Sequence, residues 1–373
     1  MQIILLLTDL FDSIGGIQTF NRSLVKALSE LADKKNGRLR ILILNDSFKS
    51  DDLIKCIAGG STEVVIFKKS RFKFLFQSIK YSFSSRLVIF GHVNFVPLVI
   101  FFRLLCPALK TLLVVYGIDV WRKLPFLEEI GVKLVDKIVS ISEFTKKQML
   151  RLNVINENKF DILPCTLDPA FAINFTEKKR SRKELNLPDG KIILTVSRLD
   201  MPFRKKNIDL VIRSLPDVFK QVSDACYVIV GDGPDRKRLE GVVNEIRVFD
   251  KVIFAGYVPD YLLPSYYEAC NVFVLPSEKE GFGIVFLEAM YFSKPCIGAN
   301  AGAIPEVIEN NVTGLLITPD DVKTLSGYLT RLLTNKNLQE KLGQSGKKKL
   351  EEQFSPAVFK SNTSKLVESL LII

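Results

Sequence analysis

Apolar residues fall along this chain in two alternating patterns. Short, nearly continuous apolar runs are separated by longer stretches in which apolar residues recur at helical spacing. The first run, Ile3–Thr8, predicts a buried strand. Thr19–Lys34, after a Gly-Gly loop, predicts a helix. Arg40–Asn45, Glu63–Phe67, Arg86–Phe90, Thr111–Tyr116 and Lys137–Ile141 predict further strands. Strands of this kind, apolar throughout and spaced by helices, belong to parallel sheets covered on both faces.

The pattern then restarts. Residues 176–190 (TEKKRSRKELNLPDG) are polar and charged and end in Pro and Gly, as a linker does. Strands follow at Ile192–Val196, Cys226–Val230, Lys251–Phe254, Val272–Leu275 and Pro295–Gly298, with helices between. The expected fold class is α/β, with two doubly wound, Rossmann-like domains. Residues 1–170 form the first and 171–355 the second. A last helix, 356–373, is expected to pack back on the first. A chain of 373 residues is too long for one ordinary core. Two such domains facing each other would enclose a deep cleft, and ligands of open α/β sheets bind beyond the C-terminal ends of the strands.

Composition narrows the classes. At 47% hydrophobic and 25% charged, the chain is globular rather than disordered. Fifty-two Lys and Arg against 41 Asp and Glu leave a net charge of +11. That surplus favours anionic partners: nucleic acid, phosphorylated ligands or an anionic membrane surface. Cys56, Cys106, Cys165, Cys226, Cys270 and Cys296 form no C-x-x-C pair and read as free thiols, without a zinc site. The apolar N-terminus lacks a basic flank and a cleavage site, so it reads as a strand rather than a signal peptide. The apolar stretch 87–116 is interrupted by His92, Asn94, Pro97, Arg103, Pro107 and Lys110. It falls short of the roughly 20 residues that a spanning helix needs. The expected location is the cytoplasm.

Chemistry concentrates at 271–306, NVFVLPSEKEGFGIVFLEAMYFSKPCIGANAGAIPE. A strand ends at Pro276, a loop follows, and a helix starts near Gly283. The unpaired amides of that helix start suit a phosphate, which places Phe282, Gly283 and Ile284 in a donor-binding set. Glu280 lies in the loop and Glu288 about one and a half turns into the helix. Carboxylates are strong acceptors for sugar and ribose hydroxyls. Ser197-Arg198-Leu199 ends another strand, with Lys205 and Lys206 close behind. Cations there would neutralise a diphosphate and stabilise the charge that builds on it as a glycosidic bond breaks. Arg198 and Lys206 are the preferred pair. Gly15-Gly16, after the first strand and before a helix, also suits a phosphate.

The E-x7-E spacing of Glu280 and Glu288, enclosing Gly-Phe-Gly and followed by Pro-Glu, closely resembles the family-four retaining glycosyltransferases of GT-B fold, the group 1 glycosyl transferase type. The resemblance spans nearly the whole chain and is strongest from 192 to 306. It implies that Glu280 contacts the donor sugar and Glu288 the ribose. It implies that Arg198 and Lys206 face the diphosphate, that the Gly15-Gly16 loop faces diphosphate and acceptor, and that backbone at Val258 pairs with the base. Asn207 stands where the family usually has Gly after the Lys. The family often has a His at His92, this chain's only histidine, and a second after the next strand, where Tyr116 stands here. Asp119, in the same loop, is a candidate for sugar hydroxyls. His92 and Asp119 join Arg198, Lys206 and Glu280 as candidate catalytic residues.

Residues 68–86, KKSRFKFLFQSIKYSFSSR, hold six basic residues, no acidic ones and five aromatics. The segment suits peripheral docking on an anionic membrane, on the inner face of the plasma membrane, where lipid-linked acceptors sit. It lacks a nucleic-acid recognition motif. No D-x-D triplet occurs in the chain, so Arg198, Lys206 and helix amides are expected to replace a metal's charge, with no cofactor. The reading is a metal-independent, retaining hexosyltransferase. Its donor would be a nucleotide-diphosphate sugar, UDP-glucose or a related UDP-sugar, and its acceptor a saccharide or lipid-linked saccharide in cell-surface polysaccharide synthesis. The alternatives are a nucleotide-sugar-binding scaffold without turnover and a nucleotide-sugar epimerase.

Overall fold

The computed structural model describes residues 1–12, 15–171, 179–199 and 205–371. Residues 176–178 of the expected linker and residues 372–373 lie outside these. The chain divides into two compact units, Met1–Ala170 with Phe354–Ile373, and Phe171–Gln353.

The first unit is built on β1 (Gln2–Leu7), α1 (Gly16–Lys34), β2 (Arg38–Ile43), α2 (Asp51–Ile57), β3 (Thr62–Ile66), α3 (Arg71–Ser82) and β4 (Leu87–Phe90). It continues through α4 (Leu98–Leu105), β5 (Lys110–Val115), α5 (Phe126–Leu134), β6 (Lys137–Ser140), α6 (Glu143–Leu152) and β7 (Phe160–Ile162). Among the described residues its strands are all parallel, in the order β3-β2-β1-β4-β5-β6-β7. The chain winds outward from β1 to β3, then returns past β1 to β4. Right-handed crossovers in opposite directions put α1 and α2 on one face and α3 to α6 on the other. Central β1 is covered on both sides, which is why Ile3 to Leu7 are buried without alternation.

The second unit contains β8 (Lys191–Val196), α7 (Ile208–Gln221), β9 (Ala225–Val230), α8 (Arg236–Glu245), β10 (Val252–Gly256), α9 (Leu263–Ala269) and β11 (Val272–Leu275). Then come α10 (Ile284–Tyr291), β12 (Cys296–Ala299), α11 (Ile304–Val307), β13 (Gly314–Ile317), α12 (Val322–Thr334) and α13 (Lys336–Lys349). Its parallel order is β10-β9-β8-β11-β12-β13. The last helix, α14 (Pro356–Leu371), belongs to the first unit. It lies on α1, with Phe359 edge-on to Phe20 at 5.3 Å and Glu368 paired with Lys35 at 2.9 Å.

The predicted strands appear within two residues of their expected ends. Two others, β7 and β13, were not anticipated. The first is only three residues long, and the second opens on a glycine. All six cysteines are free. Among the described residues, no helix is long and apolar enough to cross a membrane.

Candidate functional site

Strand order reverses once in each sheet, between β1 and β4 and between β8 and β11. Helices leave such neighbours towards opposite faces, so a crevice opens beyond their C-terminal ends. Most of the candidate residues lie on the chain that leaves these four strands, while Asp119 follows β5 and Val258 follows β10.

In the second unit, β8 and β11 pair only at Ile193–Val272 and Leu194–Phe273. Beyond that the strands part. The Val274 carbonyl accepts the Thr195 hydroxyl at 2.5 Å, and Thr195 accepts the Tyr227 hydroxyl at 2.7 Å. All three groups are buried, so this chain braces the splayed strands without leaving an orphaned carbonyl.

The two loops that leave these strands are tied together. Lys206 pairs with Glu280, and Lys205 with Glu278 at 2.7 Å. The Asn207 amide donates to the Pro276 carbonyl at 3.0 Å and to Glu278 at 3.1 Å. The Glu278 N–H donates to the Lys205 carbonyl at 2.8 Å. Hydrogen bonding from Lys205, together with its charge, holds the Glu278 carboxyl below its ordinary range. Asn207 stands where the family usually has glycine, and its backbone is left-handed (φ 55°). Asn is among the few residues that visit this region readily. So the substitution preserves the turn and adds an amide that clamps the opposite loop. Arg198, directly after β8, is exposed.

Gly283 caps α10 with φ 96°, and a Cβ there would come within 2.7 Å of the Phe286 ring. Phe282 is buried at this turn, and Ile284 begins the helix. Gly302 (φ 60°) lets the following loop lie on Glu280: a Cβ would meet the Glu280 carbonyl at 2.9 Å, and the Ala303 N–H donates to that carbonyl at 3.1 Å. Glu288 is buried in α10. It accepts the hydroxyl of fully buried Tyr267 at 2.5 Å. Burial, then the charge of Glu288, raises the Tyr267 pKa well above its ordinary value. At the next strand end, Gly231 and Gly256 form a bridge, with the Gly231 N–H donating at 2.8 Å. Val258 is buried just beyond, while Tyr257 is exposed.

In the first unit, Gly15 and Gly16 open α1. The loop before them is held by Asp46, which is fully buried and accepts the N–H groups of Leu10 and Phe11 at 2.9 Å and of Asp12 at 3.2 Å. Burial raises the Asp46 pKa against the pull of these bonds. Arg22 donates to the Leu10 carbonyl at 3.3 Å and pairs with Asp168 at 3.1 Å.

Beyond β4, His92 caps a short 3₁₀ turn, its Nδ1 accepting the Asn94 N–H at 3.2 Å. Burial lowers the His92 pKa, opposed by the charges of Asp119, Glu128 and Asp9 and reinforced by Arg122. Asp119 accepts the Tyr116 N–H at 3.2 Å, and burial raises its pKa while His92 pulls it down. His92 and Asp119 thus share one electrostatic site. Tyr116 does not join it. Its phenol is turned inward, donating to Asn21 Oδ1 at 2.7 Å, with the Gly91 carbonyl at 3.1 Å and Phe20 edge-on at 5.4 Å. Burial raises its pKa well above the ordinary value, so it is a permanent, structural donor.

Sequence reasoning missed Asp46, Glu278, Tyr267 and Ser277. Ser277 is buried, and its hydroxyl has no hydrogen-bond partner among the described residues. Glu278 is adjacent in the motif and could have been found there. Ser277 lies in the same motif, whereas the partners of Asp46 and Tyr267 come from other segments. Among the described residues, no group of three or more His, Cys, Asp or Glu side chains could hold a metal ion.

A family model described as glycosyl transferases group 1 matches residues 177–349, nearly all of the second unit. A Methanocaldococcus jannaschii protein, "Uncharacterized glycosyltransferase MJ1607", is 30% identical over 223 residues, 59% of this chain and 56% of the relative. The GDP-mannose-dependent alpha-(1-6)-phosphatidylinositol monomannoside mannosyltransferase of Mycobacterium tuberculosis is 31% identical over 180 residues, 46% of each chain. The chain thus spans about half the length of the curated relatives it matches. Over the whole length its fold matches that of Anabaena Alr3699/HepE, solved in complex with UDP, at a TM-score of 0.80 and 16% identity, covering 99% of this chain and 100% of that one. The Anabaena protein has also been solved with UDP-glucose. The second unit thus matches the group 1 glycosyl transferases, and the chain as a whole has the GT-B fold.

Proposed function

We propose that the chain is a metal-independent, retaining glycosyltransferase. It moves a hexose from a nucleoside-diphosphate sugar to a hydroxyl of a saccharide or lipid-linked saccharide, in the synthesis of cell-surface polysaccharide. The observation that carries the reading is the pairing of Lys206 with Glu280 at the β8–β11 reversal. A cation for diphosphate and a carboxylate for sugar hydroxyls, far apart in sequence, meet where this sheet type takes its ligand.

In the proposed reaction an acceptor oxygen attacks the anomeric carbon. The bond from that carbon to the β-phosphate oxygen breaks, and the diphosphate leaves with the electron pair. The acceptor proton passes to the departing phosphate. Arg198, Lys206 and the first amides of α10 stabilise the charge gathering there. Glu280 orients the sugar and Glu288 the ribose. His92, whose pKa burial lowers, and Asp119 would contact donor or acceptor hydroxyls. UDP-glucose is the proposed donor, from the ligands of the Anabaena neighbour. GDP-mannose, from the mycobacterial relative, is the competitor. A lipid-linked acceptor would place the protein on the inner face of the plasma membrane.

The test is release of nucleoside diphosphate from a panel of nucleotide sugars in EDTA. Turnover of one donor should fall on the order of 10²-fold or more in Glu280→Ala and Arg198→Ala. Turnover that requires an added divalent ion would overturn metal independence. No binding of any donor would overturn the donor site itself.

A further inference from the structure

One face of the first unit carries a surface that the donor chemistry does not use. From Val64 to Ile118 the chain contains no Asp or Glu. Within that span α3 turns Phe74 into the core but leaves Phe72 88% and Phe76 70% exposed. The next helix is more unusual. Apart from Arg103, α4 (LVIFFRLL) is apolar on every side. Such a helix is normally buried all round. Here Val99 and Phe102 are buried, while Phe101 and Leu105 are about half exposed and Leu104 is 76% exposed. Helix α4 packs against both α3 and α5. The first turn of α5 adds Phe126, 75% exposed, and Leu127. The inward residues Phe74, Phe102 and Val132 belong to one core cluster, so the outward faces of the three helices look the same way.

The charges on α3 and its flanks are all basic. Lys68, Lys69, Arg71, Lys73, Lys80 and Arg86 are exposed. The acids of the neighbouring segments are paired within the unit: Glu63 with Arg40 at 3.0 Å, Glu128 with Arg122 at 2.8 Å, Glu129 with Lys133 at 2.6 Å and Asp136 with Arg103 at 2.7 Å. Two local features work against stability. Arg71 and Lys73 sit in the first turn of α3, which has no acidic residue and no side-chain cap, so they oppose the helix dipole. Lys68 and Lys69 both hold left-handed backbone (φ 46° and 66°), which disfavours residues with a Cβ. A phosphate beside the helix start would offset the first of these costs.

We propose that this surface docks on an anionic lipid bilayer. Phe72, Phe76, Phe101, Leu104, Phe126 and Leu127 enter the acyl boundary, and the surrounding Lys and Arg hold headgroup phosphates. Single-stranded nucleic acid fits less well, because Leu104, Leu105 and Leu127 offer no ring for bases to stack on. A second copy would bring two positive faces together. The inference deepens the lipid-linked acceptor reading by naming the surface, but it rests on the first unit alone and not on the donor site.

The experiment is co-sedimentation of the full chain, at low salt, with vesicles of phosphatidylglycerol and phosphatidylcholine or of phosphatidylcholine alone. The protein should follow the anionic vesicles only. Partitioning should fall on the order of tenfold or more in Phe72→Ser with Leu104→Ser, and again in Lys73→Glu with Lys80→Glu. Because these positions are exposed, melting curves and donor hydrolysis should stay as in the parent. Four outcomes would overturn the proposal: no partitioning; partitioning that the Ser pair leaves intact; release from vesicles by single-stranded RNA that the Ser pair still binds; or a dimer, abolished by the Ser pair, in place of lipid binding. Loss of donor hydrolysis in the parent would leave the vesicle result standing, so the two readings fail separately.

Discussion

Tyr267→Phe measures how firmly Glu288 is held for its proposed contact with ribose. The Tyr267 hydroxyl reaches Glu288 Oε2 at 2.5 Å inside the second unit, and its raised pKa keeps it a donor throughout the working range. Phenylalanine keeps the ring and its packing against Phe171 and Phe273, at centroid distances of 6.1 and 5.5 Å. The cavity term is therefore small, and the change removes one hydrogen bond to a buried carboxylate. Such bonds contribute about 1.5–3 kcal/mol. In a unit of this size each kcal/mol moves Tm by about 2–4 °C. A loss of about 2 kcal/mol should thus lower the transition of the second unit by about 4–8 °C. With its carboxylate less constrained, the donor KM should rise severalfold while kcat changes less, since ribose does not react. Calorimetry and initial rates read the two effects. An unchanged Tm would refute the estimate of the bond. A fall in kcat at constant KM would refute the assignment of Glu288 to ribose.

Three further changes probe the supports of the site. Asp46→Asn puts an amide donor against the backbone N–H groups that the carboxylate now accepts; it should cost roughly 1–3 kcal/mol of first-unit stability, read by urea unfolding. Gly302→Ala forces a Cβ to 2.9 Å from the Glu280 carbonyl at φ 60°; roughly 1–2 kcal/mol of second-unit stability should be lost, and donor hydrolysis should fall more steeply than in a surface control such as Gly327→Ala, where a Cβ meets open space. His92 has its pKa lowered below 6.5 by burial, so the unfolded chain takes up this proton first as pH falls. The stability His92 gives is complete above 6.5 and is lost as pH drops towards its lowered folded pKa. Asp119, raised above 3.8 by burial, works in the opposite sense, being favoured in its acid form. Urea midpoints of the first unit should therefore fall from about pH 7 to 5 in the parent, and should fall less or rise in His92→Gln. An equal slope in both would exclude His92 as the cause.

Nine of the eleven predicted strands were legible because each lies inside a sheet covered on both sides, where burial leaves an apolar run; β3 and β10, at sheet edges and only half-buried, were legible from the short apolar runs they keep. The exceptions follow the same rule. β7 lies at the sheet edge, only Phe160 of its three residues is buried, and its signal vanishes among polar neighbours. Glu280, Arg198 and Lys206 could be proposed from sequence for a different reason: each lies near a strand end or helix start, where such a sheet is expected to take its ligand, whereas Glu288, inside α10, was proposed on its spacing from Glu280.

The supports of those residues were not legible, and the cause is physical. Tyr267 reads as an ordinary apolar position of α9. Only the packing of α9 on α10 brings its hydroxyl to Glu288. Asp46 follows β2, 35 positions from Phe11, whose amide it fixes, and no periodicity links them. Tyr116 misled in the other direction. It stands after β5 where the family often has a second His, but the phenol is spent on Asn21 and the Gly91 carbonyl. Asn207, a departure from the family pattern, proves to be a clamp between the Lys206 and Glu280 loops. Position along a strand tells which backbone reaches the ligand edge. Which side chain is free to act there depends on partners that the fold supplies from elsewhere. Among the candidate residues, the fold itself brings two pairs together from separate segments: Lys206 with Glu280, and His92 with Asp119.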